Sequence, residues 1–524
     1  MSERVVHDLL YRAAESHAER TAVVDRHRQL SYLALEERAN RLAHLLLDVG
    51  VSRGDRVGLF LDKSLESLVG IYGILAAGAA YVPLDPQSPV ARLAYIVRDA
   101  ELRVLISAPP NADGWHGLAR EGARLETVIL PGGDTDFETP AGTRVLPSSA
   151  LADYPAARLG GSRQSDLAYI LYTSGSTGDP KGVSLSHLNA RAFVDWAARE
   201  FAVSATDRLS SHAPLHFDLS TFDLFAAAHA GAAVVLVPPE LSAFPIEVGR
   251  WIDEQQITVW YSVPSALTML TLRGKLQRGS LKRLQTILFA GEVFPTKYLS
   301  RLMELLPHAR FVNLYGPTET NVCTWYEVPP ISDMPPPSIP IGKAITDVEV
   351  LAVDGSGRPV ADGEVGELCV VGPTVMQGYW GNAGASARAL APLPPTGLGQ
   401  TPVYRTGDLV RRAHDSNYLF LGRRDAQVKR RGYRIELGEI ESALNAHAAV
   451  IECAATAARD EIENCRIVAH VVVRDGVEEA ELVEACLDRL PRYALPDAFE
   501  FRSELPKTST GKVDRRSLGP LKAG

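Results

Sequence analysis

The chain has 524 residues, 46% of them hydrophobic and 22% charged, with a formal net charge of −9 at pH 7. That length exceeds one ordinary domain, and the balance is globular, which excludes disordered and fibrous classes. The acidic surplus argues against a nucleic-acid partner, because neutralising phosphates takes a basic face and the best basic stretch, VKRRGYR at 428–434, is short.

The N-terminal MSERVVHDLLYRAAESHAER is charged throughout and lacks the apolar centre of a secretory signal. Apolar runs of strand length then alternate with helix-length amphipathic segments. RVGLFL (56–61), LAYILYT (167–173), AAVVLVP (232–238), ITVWYSVP (257–264) and LQTILFAG (284–291) each precede a helical pattern, the signature of parallel α/β layers. Ser67–Leu84 is the longest uncharged stretch, but its three glycines and Pro83 make it a buried helix and strand rather than a membrane span. LGGSRQSD (159–166) carries a serine after two glycines, as phosphopantetheine attachment sites do, but it lies in a polar linker with no helical carrier domain around it. After WYEVPPISDMPPPSIPIG (325–342) the pattern turns to short strands and turns, a β-rich unit, and from about Asp425 onward to a compact α+β module. Cys323, Cys369, Cys453, Cys465 and Cys486 form no CxxC pair, so neither a disulfide framework nor a zinc cluster is expected and a cytoplasmic setting fits.

The segment YTSGSTGDPKG (172–182) combines three glycines, hydroxyl side chains and one lysine. Such a loop offers backbone N–H groups, hydroxyls and a point charge to phosphate oxygens. It is not a Walker A loop, because Lys181 stands between Pro180 and Gly182 instead of preceding a serine or threonine. Pro180 restricts the backbone just before Lys181, giving the lysine a defined base.

The loop keeps company with ILAAGAAYVPLDP (74–86), NLYGPTET (313–320), YRTGDL (404–409), GRRDAQVKRRGYRIELGEIE (422–441) and LPKTSTGKVDR (505–515). In this order, from about residue 30 to 512, the set resembles the adenylate-forming superfamily, specifically the amino-acid adenylation domains of nonribosomal peptide synthetases. The resemblance implies an α/β fold with a large N-terminal domain (1–424) of doubly wound α/β subdomains plus a distorted β-barrel. A small mobile α+β domain (425–524) would follow, turning on a hinge at Asp425.

The resemblance also implies ATP and Mg²⁺ as cofactors and a set of roles. Thr173, Ser174, Gly175, Ser176, Thr177 and Lys181 would wrap the β- and γ-phosphates, Asn313 and Tyr315 would face adenine, and Gly316 and Phe420 would also bind ATP. Asp408 would accept the ribose hydroxyls, with Arg423 beside it. Glu319 would ligate Mg²⁺, a hard oxygen for a hard cation, and Thr318 and Lys512 would act at the reacting groups. Rotation of the small domain would swing Lys512 away and bring the QVKRRGYR loop to the site. Arg430 and Ala494 depart from the residues usual in the family, at positions without a catalytic role.

PLHFDLSTFDLF (214–225) places Asp218 where amino-acid-activating members carry the aspartate that pairs with the α-amino group. An acid lacking nitrogen would leave that carboxylate unpaired. The remaining pocket positions carry over as Leu219, Phe222, Tyr261, Leu288, Ala290, Leu314, Val322, Cys323 and Lys512, an apolar lining with one hydroxyl. The set resembles that of free-standing prolyl-activating enzymes and implies L-proline, although one methylene in an apolar pocket is worth only about 1–3 kcal/mol and valine or pipecolate is not strongly excluded. No carrier segment flanks the motifs, so a phosphopantetheinyl carrier protein is expected in trans, with no nucleic acid and no membrane as partner. The alternatives are a D-alanyl carrier protein ligase, an acyl- or aryl-CoA ligase and a non-enzymatic adenylate-binding scaffold.

Overall fold

The computed structural model describes residues 4–133, 139, 142–175, 179–330, 338–392, 402–425, 427–460, 462–474, 476–507 and 513–518. The apolar runs become short strands buried from end to end, as at Ala80–Pro83, Val104–Ser107, Ala233–Leu236, Val259–Ser262 and Thr286–Phe289. Such continuous runs, without polar alternation, are what parallel sheets covered on both faces require.

Two large sheets result. One has nine strands in the order 343–344, 324–327, 310–315, 286–289, 259–262, 208–211, 233–236, 21–25 and 28–31, and the other has eight in the order 378–379, 181–186, 167–173, 80–83, 56–60, 104–107, 127–129 and 144–146. LAYILYT does not lead straight into a helix. It pairs antiparallel with Lys181–Ser186, so the glycine-rich segment joins two strands of a hairpin. The helix His187–Glu200 begins only afterwards, at a Ser186/Asn189 capping box. The period-two run GVSLS after the loop is the cause of the difference.

The β-rich unit is an antiparallel sheet of Glu349–Val353, Val365–Val371, Tyr404–Arg412 and Tyr418–Arg423. Beyond it come a hairpin (Gln427–Arg430 with Tyr433–Glu436), the helix Leu437–Asn445 and a three-stranded sheet of Val450–Arg459, Cys465–Val473 and Ala498–Phe501. This C-terminal module has a core of its own, with Ile435, Ile440, Leu444, Ile467, Val471 and Leu482 all withdrawn from water. Among the described residues no helix is long and apolar enough to cross a membrane.

Two histidines are buried where the N-terminal segment meets the helix 187–200. The Val6 N–H donates to His187 Nδ1 at 3.1 Å, and the His7 and His187 rings lie 5.6 Å apart. Burial, reinforced by mutual repulsion, holds His7 down at about 3, and burial holds His187 at about 4. Folded values below the ordinary 6.5 mean that the stability is complete above pH 6.5 and is lost as the pH falls toward 3–4. His7→Phe should therefore flatten the decline in urea-unfolding free energy between pH 7 and 5 by about 2 kcal/mol. Equal declines in variant and parent would rule His7 out as a source.

Candidate active site

The apolar chamber is built on the nine-stranded sheet. Tyr261 stands opposite Leu288 and Leu288 opposite Val312, with Leu314 two residues further on, so Tyr261, Leu288 and Leu314 share one face. Across from them Phe222 opens a five-residue π-turn, Phe222–Ala226, and meets the Tyr261 ring edge to face at 5.7 Å. Leu219, Phe222, Tyr261, Leu288, Ala290, Leu314, Val322 and Cys323 are all buried in the main core, and within it Phe222, Tyr261, Leu288 and Leu314 are neighbours. Burial pushes the Cys323 thiol up to about 12.

Asp218 sits half-buried at the edge of this cluster. Burial raises its carboxyl above the ordinary value, opposed by a hydrogen bond from the Thr318 hydroxyl and by the Lys429 ammonium. A further cation at this edge would find an acceptor already oriented for it.

A cavity of about 440 Å³ opens beside the chamber, with Glu292, Asn313, Tyr315, Phe420, Arg423 and Lys429 on its walls. The Asn313 Nδ2 donates to the Pro340 carbonyl at 2.8 Å, which fixes the amide. The Tyr315 and Phe420 rings are 6.4 Å apart. The Tyr315 hydroxyl donates to one oxygen of Asp408 and Arg423 to the other, while the Arg423 fork holds Asp425 at 2.7 Å through both nitrogens. The turn that presents these groups depends on Gly316, since a Cβ there would lie 1.6 Å from the Asn321 carbonyl oxygen.

Glu319, three residues on, is wholly withdrawn from water. Its carboxylate accepts from the Tyr379 hydroxyl at 2.7 Å and from Arg434 Nη1 at 2.7 and 2.8 Å. Burial alone would raise the Glu319 carboxyl, but the Arg434 charge and these bonds overcome it and hold it below the ordinary value. In the glycine-rich loop, Thr173 ends its strand and the Ser174 hydroxyl donates to the Arg434 carbonyl at 2.5 Å. Lys181 opens the next strand with its Nζ 5.8 Å from the centre of the Tyr379 ring. Ser176, Thr177 and Lys512 lie outside the described residues.

The C-terminal module thus reaches the site through the VKRRGYR loop. Lys429 Nζ lies 5.7 Å from the centre of the Tyr315 ring. Gly432 has φ +80°, its N–H donates to Glu292 at 3.0 Å, and a Cβ there would lie 2.4 Å from Val263 Cγ1. Behind it, Arg92 and Glu439 form a buried ion pair across the two parts of the chain. A second cavity, of about 700 Å³, runs between the parts, bounded by Phe217, Leu219 and His216 on one side and Arg431, Tyr433 and Tyr493 on the other.

With this geometry the comparisons with known proteins agree. The family described as AMP-binding enzyme matches residues 10–380, and the AMP-binding enzyme C-terminal domain matches residues 439–512. The chain belongs to the AMP-binding enzyme family. As a member it is 39% identical to an L-proline:L-prolyl-carrier protein ligase of Pseudomonas fluorescens, over 98% of this chain and 99% of that one. It is also 39% identical to an enzyme of the same name from Streptomyces coelicolor, over 96% and 94%. Its fold matches that of the Vibrio cholerae adenylation domain AlmE, solved with glycyl-adenosine-5′-phosphate, at a TM-score of 0.86 and 23% identity, covering 99% of this chain and 97% of that one.

Tyr379, Glu292 and the Arg92–Glu439 pair were not read from the sequence. A glycine and an acid directly after the strand-like LQTILFA were the available signal for Glu292; Tyr379 had none, since its strand has only two residues. Asp408→Ala should lower the urea-unfolding free energy of this AMP-binding enzyme by about 2–4 kcal/mol, because it strips the Tyr315 hydroxyl and one arm of half-buried Arg423 together. Tyr315→Phe should cost about 1 kcal/mol. Unfolding curves that superimpose on the parent's would mean that the network contributes no stability.

Proposed function

We propose that the protein activates L-proline as the prolyl-adenylate with release of pyrophosphate, and then passes the prolyl group to the phosphopantetheine thiol of a separate carrier protein, releasing AMP. The observation that carries the reading is one carboxylate, Asp218, close enough to act on Tyr261 beside a buried cluster that is otherwise apolar and aromatic. A small secondary ammonium with a hydrocarbon ring satisfies both ends. The 39% identity over nearly the whole chain to two enzymes named for L-proline and its carrier protein supports the same substrate and partner.

In this reading Asp218 takes the substrate ammonium, with Thr318 holding the carboxylate in place, and the apolar walls exclude water from the activated group. The 440 Å³ cavity suits a nucleoside: aromatic Tyr315 and Phe420 for the base, and Asp408, braced by Arg423, for the ribose hydroxyls. Ser174 and the loop that continues from it would hold the phosphates, with Lys181 at its far end. The donor set also fits Mg²⁺. Among the described residues no three His, Cys, Asp or Glu converge, but Glu319, whose oxygens here are held by Arg434 and Tyr379, would offer Mg²⁺ one or two carboxylate oxygens once Arg434 withdraws. When bound, ATP and Mg²⁺ supply the α-phosphate that the substrate carboxylate attacks and the charge that eases pyrophosphate away. Lys512 would neutralise the same oxygens. For the transfer, Lys429, which lines the nucleoside-sized cavity, would offer a cation to the departing AMP, and the 700 Å³ cavity past Phe217 and Leu219 would admit a pantetheine arm. A cytoplasmic setting suits the five free cysteines.

Amino-acid-dependent ATP–pyrophosphate exchange tests the reading, with the twenty proteinogenic amino acids, D-alanine, pipecolate and benzoate compared side by side. L-proline should dominate. Exchange led by D-alanine or benzoate would overturn the substrate, and benzoate would remove the role of Asp218 as well. Asp218→Asn should cut kcat/KM for L-proline by about two to three decades, the loss of one side of a buried pair. Lys429→Ala should leave exchange within about threefold of the parent while slowing carrier loading by about tenfold or more. Loss of both activities together would place Lys429 in the first step instead.

A further inference from the structure

Asp218 and Phe222, the carboxylate and an aromatic wall of the pocket, stand on one short segment, residues 217–226. Its first half is pinned by hydroxyls: Ser220 donates to the Phe217 carbonyl at 2.6 Å and Thr221 to that of Asp218 at 2.7 Å, while the Asn321 amide donates to the Thr221 hydroxyl at 3.1 Å. Its second half is the π-turn Phe222–Ala226, where the Tyr72 hydroxyl donates to the Leu224 carbonyl at 3.3 Å. Within that turn lies Asp223, 1% exposed, whose two carboxyl oxygens have no hydrogen-bond partner among the described residues. A buried carboxyl without a donor is costly unless a charge answers it. Burial pushes the Asp223 carboxyl well up, and the Lys63 ammonium draws it back. Lys63 is itself fixed. Its Nζ donates to the Ser211 and His212 carbonyls at 2.6 and 2.8 Å, at the end of the strand Arg208–Ser211, and the next residue, Ser64, caps the helix Leu65–Ala76. Burial lowers Lys63 to about 8, so it keeps its proton at neutral pH.

We propose that Lys63 and Asp223 are positioning residues for amino-acid specificity: they hold the π-turn at the depth where Phe222 closes the pocket against Tyr261, and so set the largest side chain that the pocket admits. The inference rests on the reading of Asp218 and Phe222 as pocket residues. Attraction across a low-dielectric interior needs no contact, so a fixed ammonium restrains the position of a carboxyl nearby. The Phe222 ring meets the Phe201 and Tyr261 rings edge to face at 6.0 and 5.7 Å. Apolar packing of this kind keeps its stability through small shifts that change the arrangement. Depth therefore has to be set by something directional. Asp223 adjoins Phe222 in the chain and acts on Tyr261 as well, which places its carboxyl close to both walls. A π-turn is moreover a rare conformation that needs outside support. Released from Lys63, the turn would relax toward a regular helix and carry the Phe222 ring with it.

The test compares ATP–pyrophosphate exchange of the full chain with L-proline and with pipecolate, which is one methylene larger. Asp223→Asn keeps the side-chain volume, and Lys63→Met removes the charge while keeping most of the stem. Each should lower the preference for L-proline over pipecolate, as a ratio of kcat/KM, by about fivefold or more, and raise KM for L-proline while KM for ATP stays within about twofold of the parent. The double variant Lys63→Met/Asp223→Leu leaves neither partner unanswered, so it should recover the parent's stability to urea without recovering its preference. A parent-like preference in folded Asp223→Asn or in the double variant would overturn the proposal and leave the pocket reading intact, and so would KM values for ATP and L-proline that rise together. Exchange in the parent led by benzoate would overturn both, because the segment 217–226 would then not serve an amino acid.

Discussion

A carboxyl group fully withdrawn from water must keep its proton or find a cation, and Glu319 has found a cation. An isolated charge in such a place is so unfavourable that the surrounding structure has to be arranged to meet it. The turn that carries Glu319 is closed by Gly316, its position beneath the strand Gly378–Tyr379 is secured by the Met376 N–H bonded to its own carbonyl at 2.8 Å, and the Tyr379 hydroxyl adds a neutral donor. The charge itself is answered from 115 residues away, by Arg434. The stance of the whole C-terminal module thus follows from an electrostatic requirement of the N-terminal part, and the contacts at Gly432 and Arg92 reinforce it.

The same arrangement suits the second of two steps with opposite demands. Forming the adenylate crowds anions together and calls for cations on the phosphates; consuming it calls for an open route to the acyl carbon. The loop 428–434 brings Lys429 and Arg434 in on one rigid hairpin, and the cavity bounded by Phe217, Tyr433 and Tyr493 exists only where the two parts meet. Cations and route therefore arrive together, because the hairpin that carries the charges also forms a wall of the route.

Much of this was legible because the chemistry is written in contiguous segments. The loop 172–182, the turn 313–320 and the strand 404–412 each bring several functional groups within a few residues, and a fixed turn or strand then fixes their geometry. The strands were legible because buried parallel strands are apolar without interruption. The hairpin around the glycine-rich loop was hidden, since GVSLS is too short to separate by periodicity from the helix after it. The π-turn at Phe222 also left no pattern, as its sequence satisfies an ordinary helix equally well. Arg92 and Glu439 lie 347 residues apart on the faces of two unremarkable amphipathic helices, and no local rule joins them. What the sequence could not supply was long-range company: which arginine meets which carboxylate when the module seats.

On the proposed reading, Cys323 stands in the buried cluster where a carboxyl group would become strongly acylating, and a reactive thiol there would divert the acyl group onto the protein itself. Burial prevents this. With its thiol raised to about 12 by burial, the side chain stays protonated at neutral pH, and the thiol form is a poor nucleophile. In that reading the pocket would use sulfur for its size and softness while staying chemically silent, leaving the activated group to a thiol that arrives from outside.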